Sequence, residues 1–188
     1  AGFCDIALGT QTSGSVIRPA GYCGTFGYKP SFGRVALDGV LPYSKSMDHI
    51  GLFAKDMPTM AATLPILVTD WQKPKDSLAN KPVIGVPMGS YIDIARPHVK
   101  AQFETIIDKI KHMGAIVKPI ILCDDIASHN DTHDLIANAE LYQIHKSWVK
   151  DYWEIYKPMS RAALEFGQNV SNKTHTESLN KARKMQSW

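Results

Sequence analysis

Residues 82–122 read "PVIGVPMGSYIDIARPHVKAQFETIIDKIKHMGAIVKPIIL", and three changes of rhythm divide them. Residues 82–87 form a short apolar run rich in β-branched side chains, which suits a buried strand. From Pro97 onward, Val99, Phe103, Ile106, Ile107, Ile110 and Met113 recur at three- and four-residue steps and lay one apolar stripe along a helix. Pro97 fits the first turn, where its missing N–H is no loss, and Gly114 fits the stop. Residues 115–122 return to strand composition. Strand, helix, glycine, strand is a βαβ unit, and a crossover of that length joins parallel strands. The expected fold class is α/β, with a mixed, largely parallel central sheet flanked by helices.

Upstream, Asp5 to Gly9 is an apolar run ending in small residues and reads as a buried strand entering a turn. A short helix is expected from Ser15 to about Tyr22, and residues 35–41, broken by Gly33, Gly39 and Pro42, as loop and short strand. Asp56 to Val68 has helical spacing in Met57, Met60, Ala61, Leu64, Leu67 and Val68, with Pro65 placed to kink or end it. Residues 74–81 are a polar connector. A longer helix is expected over about 131–156, carrying Leu135, Ile136, Leu141, Ile144, Trp148, Trp153 and Tyr156, with helical character continuing to the end. No repeat or low-complexity segment interrupts the chain. Residues 1–188 are expected to form part of one domain, with the βαβ unit at 82–122 and a helical region at 131–188.

Of the 188 residues, 44% are apolar and 21% charged, with a net charge of +3, as in an ordinary globular protein. Lys181, Arg183 and Lys184 read as a solvated helix face. Without a basic stripe interleaved with aromatics, nucleic acid is not an expected partner. No apolar run approaches the roughly 20 residues that span a bilayer. The three cysteines, Cys4, Cys23 and Cys123, are odd in number and lack metal-ligand spacing, so a reducing, cytoplasmic setting is expected rather than a disulfide framework. His129 and His133 stand four apart. Asn130 occupies the glutamate position of H-E-x-x-H and a third ligand is missing, so exposed helix histidines are expected, with no metal and no cofactor. The sequence starts without Met and stops within a helical pattern, which suggests part of something longer.

Residues 9–24, "GTQTSGSVIRPAGYCG", carry the chemistry. The G-x-S-x-G elbow is not present around Ser15. Adjacent Asp48 and His49 are poorly placed for a Ser-His-Asp triad. One reading is a polar turn capped by Ser13 or Ser15. The other is a strand-to-helix turn that aims the backbone N–H groups of Thr12, Ser13, Gly14 and Ser15 at one point, where they could hold an oxyanion. Composition alone leaves both standing. Arg18 lies one helical turn after Ser15 on the same face, and suits either a structural ion pair or a clamp for a substrate carboxylate.

"LGTQTSGSVIRPAGYCGTFGYKPSFGRV", followed by "GVLPYSKSMDHIGLFAKD", closely resembles the amidase signature family, contiguously over about residues 5–56. The order of "PVIGVP", helix and "GAIVKPI" also fits, less specifically, and nothing diagnostic follows Leu122. The resemblance implies an enzyme that cleaves linear amide bonds on a small-molecule substrate, with Ser15 as the acyl-forming nucleophile. It assigns the oxyanion hole to the main chain of Thr12, Ser13, Gly14 and Ser15. In that family a lysine, relayed through a second serine on a cis peptide, deprotonates the nucleophile. Both positions precede the matched run and fall outside these residues, so the chain alone is expected to be nearly inactive. Lys29, in "GYKPS", matches a structural turn instead, and Asp48 a brace for the nucleophile turn. Gln11 and Ser13 stand where many members have Asp and Gly. The Gln form looks more like free-standing small-molecule amidases than like a member of a transfer-RNA amidotransferase complex. The alternatives are a subunit of such a glutamine-dependent amidotransferase or a non-catalytic amidase-like module, and a homodimer is left open.

Overall fold

The computed structural model describes residues 2–73, 81–122 and 125–185. The connector expected at 74–81 therefore falls, except for Lys81, outside the described residues, as does Cys123. Two compact units are present, Ala1–Lys73 with Thr132–Trp188, and Pro74–Asp131.

In the first unit, β1 (Ile6–Gln11), α1 (Ile17–Cys23), β2 (Phe26–Tyr28), β3 (His49–Ala54) and α2 (Met57–Leu67) follow in order. The sheet order is β1-β3-β2, with β3 antiparallel to both neighbours. β1 and β2 consequently run in the same direction, and β3 fills the gap between them in a split βαβ arrangement. The mixed α/β class holds. Its parallel pairing lies in the second unit, while this larger sheet is antiparallel because β3 returns between the two strands that α1 connects. Neither β2 nor β3 was expected from the sequence.

The core of this sheet gathers on β3 and α2, where Leu52, Ala54, Met60, Leu64 and Val68 are buried and Ile6, Tyr28 and Trp71 pack against them. α2 begins at Asp56, whose carboxylate accepts the Thr59 N–H at 2.7 Å. Pro65 sits inside α2, which ends two residues later, as its chemistry requires. β1 departs from expectation. It is an edge strand, Leu8 is 58% exposed, and only Gln11 is buried.

α5 (Ile126–Tyr152) is the longest helix, followed by a 3-10 turn at Trp153–Ile155, α6 (Pro158–Gln168) and α7 (Asn172–Met185). The expected helix over 131–156 thus begins earlier and ends before Trp153. Ile136, Ala137, Ala139 and Leu141 form its buried stripe.

In the second unit, β4 (Val83–Met88) and β5 (Ile116–Ile121) pair in parallel, joined through the short helix α3 (Ser90–Asp93) and α4 (Pro97–His112). The βαβ unit is as expected, and α4 ends two residues before Gly114. Burial is not. Of β4 only Val86 is buried, and α4 buries no residue fully. A two-stranded sheet with one crossover helix has too few layers to enclose both faces of its strands. No helix among the described residues is long and apolar enough to cross a membrane.

Candidate active site

The turn between β1 and α1 is built from its two ends. At one end, Gln11 is buried, and its Oε1 accepts the N–H groups of Val16 at 2.8 Å and Ile17 at 3.0 Å. These are among the donors that the start of any helix leaves without intrahelical partners. The cap on α1 is therefore Gln11, not Ser13 or Ser15, and Val16 at the N-cap position makes no side-chain cap of its own. At the other end, Val16 is completely buried. It rests on β3 at Gly51, where a methyl group would come within 3.0 Å of both Val16 γ-carbons and 2.6 Å of the Tyr28 carbonyl. Gly9 lies opposite Gly51 in the β1–β3 ladder. A close approach of helix to sheet thus fixes the residue next to Ser15, and burying that valine contributes about 1.5–3 kcal/mol.

Between these anchors the chain reverses at Gly14, which has φ +85°. The nearest heavy atom to a methyl group there would be Arg18 Cβ at 4.0 Å, so space is open and the backbone conformation is what calls for glycine. Arg18 N–H donates to the Gly14 carbonyl at 2.9 Å. The N–H groups of Ser13, Gly14 and Ser15 make no hydrogen bond among the described residues, and neither does the Ser15 hydroxyl. Ser15 and Ser13 are exposed, Thr12 half-buried. Arg18 is exposed and forms no ion pair among the described residues, so the structural ion pair foreseen for it is not made there.

Thr12 is tied down twice over. Its hydroxyl donates to Asp48 Oδ1 at 2.5 Å. Asp48, itself buried, accepts the N–H groups of Tyr43 and Ser44 on its other oxygen, at 2.7 and 2.9 Å. It braces the turn as its position in the motif implied. The Thr12 carbonyl lies 3.2 Å from His133 Nε2, and since a carbonyl only accepts, that nitrogen carries the proton. His133 is therefore not an exposed helix histidine: its side chain is 28% exposed and reaches the turn from α5. His129 is half-buried as well, and its Nδ1 meets the backbone carbonyl of Asp125 just ahead of α5.

Behind this bracing stands a second layer that sequence reasoning missed. Ser44, fully buried, donates its hydroxyl to Glu140 Oε2 at 2.6 Å, and the Ser46 N–H reaches the same oxygen at 2.9 Å. Burial pushes the Glu140 carboxyl up, but the hydrogen bonds from Ser44 and Ser46 and the charge of His175 outweigh it and hold the group below its ordinary value. His175 Nε2, on α7, lies 3.4 Å from Glu140 Oε1 and is buried without a hydrogen-bond partner. Burial and the nearby Asp134 and Asp48 charges raise Tyr43. A cavity of about 590 Å³ opens beside Thr12, with Lys29, Phe32, His49 and His133 in its wall; Ser15 is not among its lining residues. Lys29 donates to the Pro30 carbonyl at 2.8 Å, in keeping with a turn residue. No cluster of three or more metal-ligating side chains occurs among the described residues.

An exposed serine on a strand-to-helix turn, with three unpaired N–H groups around it and a buried carboxylate beneath, defines a class of site before it defines a protein. The class is shown by comparison: a family model described as Amidase matches residues 1–187, and the chain belongs to that family. Similar proteins include a glutamyl-tRNA(Gln) amidotransferase subunit from Methanosphaera stadtmanae, 29% identical over 192 residues, covering 92% of this chain and 42% of the relative. Its mitochondrial counterpart from Eremothecium gossypii is 46% identical over 76 residues, 40% of this chain and 16% of the relative. Among solved structures, the crystal structure of an amidase superposes with a TM-score of 0.88 at 27% identity, covering 96% of this chain and 41% of that one. A 6-aminohexanoate cyclic dimer hydrolase, at 18% identity and a TM-score of 0.78 over 96% of this chain and 43% of its own, shares the fold. The chain spans well under half the length of these proteins.

Proposed function

We propose that this chain carries the nucleophile and oxyanion hole of an amidase that cleaves linear carbon–nitrogen bonds in small-molecule amides. Ser15 Oγ attacks the carboxamide carbonyl, ammonia or an amine departs with the serine proton, and water hydrolyses the resulting ester. The main chain of Thr12, Ser13, Gly14 and Ser15 receives the oxyanion. The carrying observation is the division of labour at the turn. Gln11 occupies the Val16 and Ile17 donors, while those of Ser13, Gly14 and Ser15 stay unpaired among the described residues. Each such donor is worth about 2.7–4 kcal/mol to the transition state. Arg18 stands exposed beside the turn. The base, a lysine acting through a bridging serine, comes from outside these 188 residues. Exposed, free Cys4 and Cys23 suit a reducing compartment such as the cytoplasm.

The test is labelling of the intact gene product with a fluorophosphonate and mapping of the adduct by mass spectrometry. Modification at Ser15, lost in Ser15→Ala, is expected; an unlabelled Ser15 in the folded protein would favour a non-catalytic module. The 188-residue chain alone is expected to retain only the residual rate left when triad members are removed, about 10³–10⁴-fold over water. Turnover of simple amides by this chain at normal enzymatic rates would overturn that assignment of the base.

A second reading, membership of a glutamine-dependent transfer-RNA amidotransferase complex, is favoured by the names of the relatives. Gln11 and the "SVIRPA" run count against it. Glutaminase activity that appears only with co-purified partner subunits would establish it in place of the free-standing amidase.

A further inference from the structure

The cavity beside Thr12 has an unusual charge balance. Lys29, His49, His133 and Arg183 contribute to its wall, and no aspartate or glutamate does. Lys29 donates only to a backbone carbonyl, and burial draws its ammonium below the ordinary lysine value. It is a partly desolvated cation with no carboxylate partner among the described residues. Arg183, on α7, reaches only the Asn180 side-chain oxygen among the described residues, at 3.4 Å. Of the carboxylates nearby, Asp48 already accepts from Thr12, Tyr43 and Ser44, and Asp134 faces His133 Nδ1 at 3.4 Å from outside the wall. Phe32 and Leu179 add apolar surface. The cavity meets the catalytic turn at Thr12, three residues from Ser15, a separation of at most roughly 11 Å along the chain.

We propose that this cavity binds the carboxylate end of the substrate, with Lys29 and Arg183 as its counter-charges, and that the substrate class is the short monoamides of aliphatic dicarboxylic acids. The inference rests on acylation at Ser15. A carboxylate there meets a guanidinium able to engage both its oxygens and an ammonium that has no carboxylate partner among the described residues. A neutral amide of the same length leaves both cations as they are, and so gains nothing from them. Discrimination therefore comes from charge rather than from size.

The experiment is equilibrium binding to the intact gene product carrying Ser15→Ala, which blocks turnover. Succinamate and glutaramate are compared with butyramide and valeramide, their uncharged counterparts of similar shape. The charged amides are expected to bind at least tenfold tighter, and Arg183→Gln and Lys29→Gln each to cut that preference about tenfold. Arg183 is exposed on its helix, so its variant folds even if the Lys29 variant is impaired; thermal melting reports which variants remain folded. Equal affinity for charged and uncharged amides, or a preference that survives Arg183→Gln in a folded protein, overturns the proposal. Fluorophosphonate labelling of the parent protein separates the two layers. Labelling without a carboxylate preference removes this inference alone, whereas a carboxylate preference without labelling removes acylation at Ser15.

Discussion

Gln11 is the residue on which the turn between β1 and α1 hinges. Its side-chain oxygen stands in for the carbonyls that the first turn of α1 lacks, and it does so from the last position of β1. Gln11→Ala should strand a buried Val16 N–H together with that of Ile17. Leaving a buried donor unsatisfied costs about 1–3 kcal/mol. Urea unfolding of the variant should show a lower midpoint at unchanged slope, since the surface exposed on unfolding is the same. A midpoint equal to the parent's would mean that water or a shifted turn replaces the glutamine oxygen. Motif spacing singles out Ser15 and its neighbours, yet it conceals this role. The Gln11 bonds span five and six residues and close over a reversal at Gly14, a geometry that no helical or strand period encodes. His133 was hidden for another reason: it is 121 residues away from its partner Thr12.

Among the elements, β3 carries the stability that β1 cannot. β3 has a strand on each side and places Leu52, wholly buried, against α2, whereas β1 is paired on one side only and leaves Leu8 more than half exposed. Leu52→Ala should therefore cost about 2–5 kcal/mol. Leu8→Ala should stay within about 0.5 kcal/mol, as surface substitutions do. Chemical denaturation of the 188-residue chain measures both, and similar losses for the two would contradict this assignment of the core. The contrast also marks what was legible. The β4–α4–β5 unit could be read because its apolar period switches cleanly and proline and glycine frame its helix. β2, three residues long and beginning two residues after a glycine, gives no periodicity to count. Burial was misjudged for β1 and β4 because an apolar strand records only what it can pack against. What covers it is decided by the neighbouring layer.

At the scale of the molecule, the turn is held by a relay that runs through distant parts of the first unit: Thr12 to Asp48, Asp48 to Ser44, Ser44 to Glu140 on α5, and Glu140 to His175 on α7. Most of its links join segments far apart in sequence, so the relay forms only with the folded unit, and it gives folding a pH dependence of defined sign. Glu140 is held below its ordinary value of 4.5 in the folded chain, because the hydrogen bonds from Ser44 and Ser46 and the His175 charge prevail over burial. A carboxyl depressed by folding binds fewer protons folded than unfolded. Its stabilisation is complete above the ordinary glutamate range and is lost as pH falls through the depressed folded-state value. The parent chain should thus lose stability between about pH 5 and about pH 3 more steeply than Glu140→Gln, which has no carboxyl to protonate there. At neutral pH the order reverses: the variant should be the less stable, since the glutamine cannot match the ionised acceptor that Ser44 and Ser46 share. Urea midpoints collected across that range test both limbs. Parallel pH profiles would show that the Glu140 carboxyl contributes nothing specific to folding, and the relay would then join the turn to α7 through contact rather than through charge.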